Sequence, residues 1–267
     1  MALEIIVCGV GGRMGGAVIR AAQQLQDIRV VAAIDRPGSA RIGKDAGEIS
    51  GAGNIGIAVS DEIAPALKTN SIIIDFTSPE ASLTYLTEAA RQRVPIVIAT
   101  TGFDAKQLSA IKRLARRTPT LLSANTSLGV NVLAALLAKA AKMLGDDYDV
   151  EIVEAHHRFK KDAPSGTALV LGRSIAGALN RDLDKVGING RKGIVGVRGK
   201  KEIAMLSVRA GDIVGEHTVI FGGIGERLEF IHRAHSRDTF AHGAIRAAQW
   251  LAHQKAGLFS MADVLSI

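Results

Sequence analysis

Only one cysteine, Cys8, stands in the 267 residues, so no internal disulfide can form. Its apolar surroundings make it a packing residue, and a cytoplasmic, reducing location is expected. Aromatics are scarce, at 4%. With no zinc-finger, RNA-recognition or helix-turn-helix pattern beside them, stacking platforms and a DNA-reading helix are both missing, and no nucleic-acid partner is expected. Long apolar runs are missing as well. The stretch Val132 to Ala138 stops at Lys139, too short to span a bilayer, and the opening Met-Ala-Leu-Glu carries no basic leader, so no membrane segment is expected. Repeats and low-complexity tracts are also wanting.

What is present suits a large buried core, because 47% of the residues are hydrophobic and the length accommodates two domains. The net charge of +7 is spread along the chain rather than gathered into a patch. That distribution fits an anionic small ligand better than a polyanion.

From Leu3 the chain alternates apolar, β-rich runs with helical patterns. Leu3 to Val7 leads through glycines into a helix over Gly12 to Leu25, and further strands follow at Arg29 to Ile34, Ile72 to Ile74, Pro95 to Ala99 and Thr120 to Leu122. Ser78-Pro79 supplies an N-cap and a first-turn proline for a helix to about Gln92, and Asp104 opens another that ends near Arg116-Arg117. This alternation predicts a parallel sheet covered on both faces. After about Ser127 the pattern changes: a helix from Leu128 to Leu144, a strand from Asp149 to Ala155, a helix from Ser165, then runs between turns at Ala210-Gly211-Asp212 and Gly222-Gly223 that read as antiparallel. In Glu226 to Arg233, Leu228 and Phe230 are expected on the buried face, with Ile231 an apolar exception on the polar one. A last helix, Arg237 to His253, carries Phe240, Ala244, Ile245, Ala248 and Leu251 on one stripe and returns to the first domain.

Two segments carry chemistry. Gly9-Val10-Gly11-Gly12-Arg13-Met14-Gly15 reads as G-x-x-G-x-x-G, a bend where backbone can approach a pyrophosphate while the next helix start solvates its charge. Asp35, 20 residues past Gly15 at a strand end, can accept from ribose hydroxyls, and Arg36 beside it can hold a 2′-phosphate, so use of both NADH and NADPH is expected. Asp75-Phe76-Thr77, Ala99 to Gly102 and Ser123 to Thr126 follow later strands at the carboxyl edge where such ligands bind. The second segment is Glu154 to Thr167, which gathers His156, His157, Arg158, Lys160 and Lys161 before a Pro-Ser-Gly-Thr turn. Imidazole and ammonium groups can move protons, and a helix start at Ser165 would offer unpaired N–H groups to a carboxylate. Adjacent histidines on an extended segment face opposite ways, so no metal is expected. The remaining histidines read as packing or surface residues, with His217 the one to examine.

These segments, with Thr100-Thr101-Gly102, Val208 to Thr218 and the closing Phe259 to Leu265, resemble the dihydrodipicolinate reductase family along nearly the whole chain. The resemblance implies an α/β fold: a Rossmann-like dinucleotide-binding domain over residues 1–127, completed by 237–267, and a smaller α+β substrate-binding and oligomerisation domain over 128–236 with a mainly antiparallel sheet. It implies NAD(P)H-dependent reduction of a cyclic imine dicarboxylate on the diaminopimelate route to lysine, in a cytoplasmic homotetramer. The catalytic pair falls on His156 and Lys160, and substrate contacts on His157, Ser165, Gly166 and Thr167. Dinucleotide contacts fall on Gly9, Val10, Gly11, Gly12, Arg13, Met14, Asp35, Arg36, Ala99, Thr100, Thr101, Ser123, Ala124, Asn125 and Thr126. Two positions depart from the family pattern: Ala99 stands where glycine is common and Thr126 where an aromatic often lies, both near the nicotinamide.

Overall fold

A computed structural model describes residues 2–267, which divide into two compact units: one running to Leu128 and taking in Arg237–Ser266, the other Gly129–Ser236. The first part of the chain alternates β1 (Leu3–Cys8), α1 (Arg13–Gln23), β2 (Ile28–Ile34), α2 (Ala46–Ser50), β3 (Val59–Ser60), β4 (Ser71–Asp75), α3 (Pro79–Gln92), β5 (Ile96–Ile98), α4 (Ala105–Leu114) and β6 (Pro119–Leu122). The second unit follows with α5 (Leu128–Leu144), β7 (Asp149–His156), α6 (Gly166–Ala178), α7 (Leu183–Val186), β8 (Gly187–Ile188), β9 (Ile203–Arg209), β10 (Gly215–Gly222) and β11 (Arg227–Ala234). The chain ends with α8 (Asp238–Leu251), β12 (Gly257–Phe259) and α9 (Met261–Leu265), back in the first unit.

The first unit is a seven-stranded parallel sheet in the order β12-β6-β5-β4-β1-β2-β3. Its central strands lack polar alternation because both faces are covered: Ile5 to Cys8 and Ile72 to Ile74 are all buried. Ile5 and Val7 pack with α1 and α8 on one side, Ile6 and Cys8 with α3 and Ile111 of α4 on the other. The Ser78 hydroxyl caps α3 by accepting from the Ala81 N–H, Pro79 takes the first turn, and Asp104 with Gln107 forms a reciprocal cap on α4. Strand order reverses between β1 and β4. At such a reversal the loops leaving the two carboxyl ends diverge and open a crevice for a ligand.

The second unit carries a five-stranded mixed sheet, β11-β10-β7-β9-β8. β10 is antiparallel to both β7 and β11, whereas β9 is parallel to β7 and to β8. The parallel step arises because the chain crosses over through α6 and α7 before pairing again with β7. One face of the sheet, with Val150, Ile152, Val219 and Phe221, packs against Leu133 and Leu137 of α5 and Leu171 and Ile175 of α6. β11 lies at the edge. Phe230 is partly buried there, but Leu228 is 45% exposed and does not share its burial as the sequence pattern predicts, since an edge strand has a neighbour on one side only.

Helix α5 is longer than the apolar run that Lys139 interrupts. With the turn after it, residues 128–147 contain an 18-residue stretch with a mean hydropathy of 1.5 and are long and apolar enough to cross a bilayer by length and composition alone. One face of the helix, with Leu133, Leu137 and Ala141, is buried in the second core, while Val132, Leu136 and Met143 are exposed.

Candidate active site

In the first unit the glycine bend follows β1. Gly9 has a φ of +83°, and its carbonyl accepts from the Gly12 N–H at 2.9 Å, which folds the bend back on itself. Gly12 is the N-cap of α1 with no side-chain cap, and the first turn holds no acidic residue, so the helix start presents backbone donors. A side chain at Gly11 would run into the Asp35 carboxylate and the Arg41 guanidinium, and one at Gly15 into the Gly9 carbonyl. The approach at Gly15 is to backbone and only glycine permits it, whereas the neighbours at Gly11 are movable side-chain ends; a bend of this kind fits a pyrophosphate cradle. Val10 is buried beneath the bend, Met14 packs partly into the core, and Arg13 is exposed at the first position of α1.

Asp35 stands immediately after β2, its carboxylate accepting from the Arg36 N–H at 2.9 Å and the Ser39 hydroxyl at 2.7 Å. Arg36 is exposed. Arg41 comes within 3.9 Å of the same carboxylate, a second guanidinium that sequence spacing did not reveal because the loop from Arg36 doubles back.

The ends of β4 and β5 meet around Asp75. This buried carboxylate accepts from the hydroxyls of Thr77, at 2.6 Å, and Ser82, while the Thr100 hydroxyl accepts from the Thr77 N–H at 3.1 Å. Burial pushes the Asp75 pKa up to about 6, against the pull of these bonds. Thr100 is therefore engaged inside the protein, whereas Thr101 is exposed. Ala99 donates its N–H to the Asp75 carbonyl at 2.9 Å. The Ser123 hydroxyl donates to the Asn125 carbonyl at 2.7 Å, closing a tight turn around Ala124, and the buried Thr126 hydroxyl donates to the Phe240 carbonyl at 2.7 Å. Thr126 thus anchors α8 with its side chain.

In the second unit, β7 sends Val150, Ile152, Glu154 and His156 to one buried face by simple alternation. Glu154, fully buried, is the centre of a polar cluster. Its carboxylate accepts from His156 Nδ1 at 2.6 Å, from both terminal nitrogens of Arg209 at 2.7 and 2.8 Å, and from the Ser165 N–H at 3.2 Å. Burial would raise its pKa, but donation from Arg209, Ser207 and His156 prevails and holds it at about 2. His156 is lowered from the ordinary imidazole value by burial, against the pull of Glu154.

His217 lies opposite Glu154 across the β7–β10 ladder, its Nε2 3.0 Å from the Ser165 hydroxyl and its ring edge-on to His156 at 5.3 Å. Burial, and then the neighbouring His156, bring its pKa down to about 4. Ser165 caps α6 by accepting from the Ala168 N–H at 3.1 Å. Both its N–H and its hydroxyl are engaged, so it shapes the helix start, while Gly166 is exposed with open space around its α-carbon and Thr167 follows half-buried. Lys160 pairs with Asp162 at 2.9 Å, Arg158 and Lys161 are exposed, and His157 is half-buried near the exposed Phe159 ring. Among the described residues no group of three or more His, Cys, Asp or Glu could hold a metal ion.

Glu154, Arg209 and the engagement of His217 escaped the sequence. The available signal was the period-two alternation of β7, which places an acid at a core-facing position next to Ile152 and His156.

Residues 3–126 match the family described as dihydrodipicolinate reductase, N-terminus, and residues 129–265 match dihydrodipicolinate reductase, C-terminus. The chain is 51% identical over 263 residues to a 4-hydroxy-tetrahydrodipicolinate reductase of Syntrophus aciditrophicus, covering 98% of each chain. It is 48% identical over 265 residues to the enzyme of that name from Geobacter sp. strain M21, covering 99% of each. Its fold is shared with a dipicolinate-bound dihydrodipicolinate reductase from Paenisporosarcina sp. TG-14, with a TM-score of 0.75 and 23% identity over 98% of this chain and 99% of that one. With both halves matched and about half of the residues held in common across full length, the chain belongs to the dihydrodipicolinate reductase family.

Proposed function

We propose that the chain reduces 4-hydroxy-tetrahydrodipicolinate to tetrahydrodipicolinate with NADH or NADPH, on the diaminopimelate route to lysine. The observation that carries this reading is the cationic segment from His156 to Lys161 running into the α6 start, on a chain with full-length relatives of that activity. The first unit is the dinucleotide-binding domain. Its bend at Gly9 to Gly15 and the α1 start hold the pyrophosphate, Asp35 accepts from ribose hydroxyls, and Arg36 with Arg41 offers guanidinium groups to a 2′-phosphate. Thr101, Ala99 and the Ser123 to Asn125 turn border the nicotinamide end.

The bound dinucleotide supplies the hydride. Loss of the 4-hydroxyl as water leaves a conjugated ring; hydride addition to that ring would leave negative charge, and Lys160 would donate the proton that quenches it, with His156 orienting and assisting. His157, Arg158, Lys161 and the Gly166-Thr167 helix start hold the two carboxylates, while Ser165 keeps that start in shape. A homotetramer in the cytoplasm completes the reading.

The test is turnover of enzymatically generated 4-hydroxy-tetrahydrodipicolinate, followed as loss of reduced-nicotinamide absorbance with each cofactor in turn. Lys160→Met and His156→Ala should each lower kcat by more than about tenfold, since general acid–base catalysis typically contributes about 10²–10⁴-fold. Dipicolinate, the diacid bound by the Paenisporosarcina relative, should compete with substrate. Turnover left near the parent value in both variants would remove the assignment.

A further inference from the structure

We propose that Glu154, gripped by Arg209, is the positioning residue of the substrate-binding half: one buried carboxylate that sets the tautomer of His156, the path of the cationic loop and the start of α6. The proposal rests on His156 being an active-site residue, as in the reading above. Every partner of the carboxylate is a donor. Oε2 faces His156 Nδ1 and one Arg209 nitrogen, and Oε1 faces the other Arg209 nitrogen and the Ser165 N–H. Such a set places the imidazole proton on Nδ1 and leaves Nε2 as the nitrogen available to substrate. Nε2 lies beside Gly215, where the lack of a side chain leaves it uncrowded, since a Cβ there would come within 3.0 Å of it.

Arg209 extends the device to the loop. The same nitrogen that meets Oε1 also donates to the Asp162 carbonyl at 2.7 Å, and Asp162 in turn holds Lys160 at 2.9 Å. His156, Lys160 and the α6 start are therefore all tied to Glu154 through at most two intermediaries. The charged and titratable groups facing His156 are Glu154 on its own strand, Arg209 from β9, His217 from β10 and Lys160 from the loop. Arg209 neutralises the carboxylate, so the pair acts on His156 as an oriented acceptor rather than as a bare charge.

Glu154→Gln keeps the shape but puts an amide nitrogen against two donors at either position. The relief open to it is a switch of His156 to the Nε2–H tautomer, with Nδ1 accepting from the amide. Nitrogen-15 NMR of the His156 ring in the intact protein reads this directly. The parent should show neutral imidazole with the proton on Nδ1, and Glu154→Gln should show it on Nε2, together with a fall in kcat of about a hundredfold. NADH affinity, measured by nicotinamide fluorescence, should stay within about twofold of the parent, since the dinucleotide residues are untouched. Glu154→Asp, which keeps the charge, should recover part of the lost kcat. An unchanged tautomer or an unchanged kcat in Glu154→Gln would overturn the proposal. So would an Nε2–H imidazole in the parent protein, a reading that needs no variant to fold. Failure of the parent to reduce the diacid would instead strike the proposed function and leave the tautomer result standing.

Discussion

His217 shows how a single side chain can carry a pH dependence for the whole second unit. Its folded pKa of about 4 lies below the ordinary imidazole value of 6.5, so the neutral ring is the form the fold accepts. The stability linked to it is complete above about pH 6.5 and is lost as pH falls towards 4, on the order of 3 kcal/mol across that window. His217→Gln removes the titration. Denaturation by urea at pH 7 and pH 5 should show a smaller loss between the two for the variant than for the parent, and equal losses would mean that His217 is solvated. Arg36 offers a second test at this scale. Arg36→Ala should raise KM for NADPH several-fold while leaving KM for NADH nearly unchanged, because only the former carries the 2′-phosphate.

At the scale of elements, α1 is held tightly against the bend that precedes it. Gly15 lies against the Gly9 carbonyl with no room for a methyl group, so Gly15→Ala must push α1 away from β1. A loss of about 1–3 kcal/mol is expected from such overpacking, measurable by thermal denaturation, along with weakened dinucleotide binding. Asp75 acts between elements too, tying the end of β4 to Ser82 of α3 and to Thr100 beyond β5. Its raised pKa has the opposite sign to that of His217. The associated stability is present below about pH 4 and is lost as pH rises through 6, so Asp75→Asn should gain on the parent as pH rises across that range. Many of these elements were legible beforehand. The α5 limits and the caps at Ser78 and Asp104 follow from residues within a few positions of each other. The partnership of β9 does not, because a strand's neighbours depend on where the crossover through α6 and α7 returns it. The same holds for Leu228, whose exposure follows from β11 being the last strand of its sheet.

For the whole molecule, the net charge of +7 favours approach of anionic ligands and is screened by salt. Raising ionic strength from low salt to about 0.3 M should raise KM for NADPH more than KM for NADH, since one more phosphate is involved. An equal response would mean that the 2′-phosphate is not met by cations. By itself the sequence determined the alternating parallel unit, the glycine bend with Asp35 after the second strand, the cationic segment with its helix start, and the family, because each is written in residues near one another in the chain. Only the tertiary structure decided that Arg209, 55 positions from Glu154, would grip its carboxylate, and that His217, 52 positions from Ser165, would meet its hydroxyl. Those distances are closed by the register of β7 with β9 and β10. Burying a carboxylate in that register is tolerable only when donors from several elements converge on it, and no local pattern encodes such a convergence.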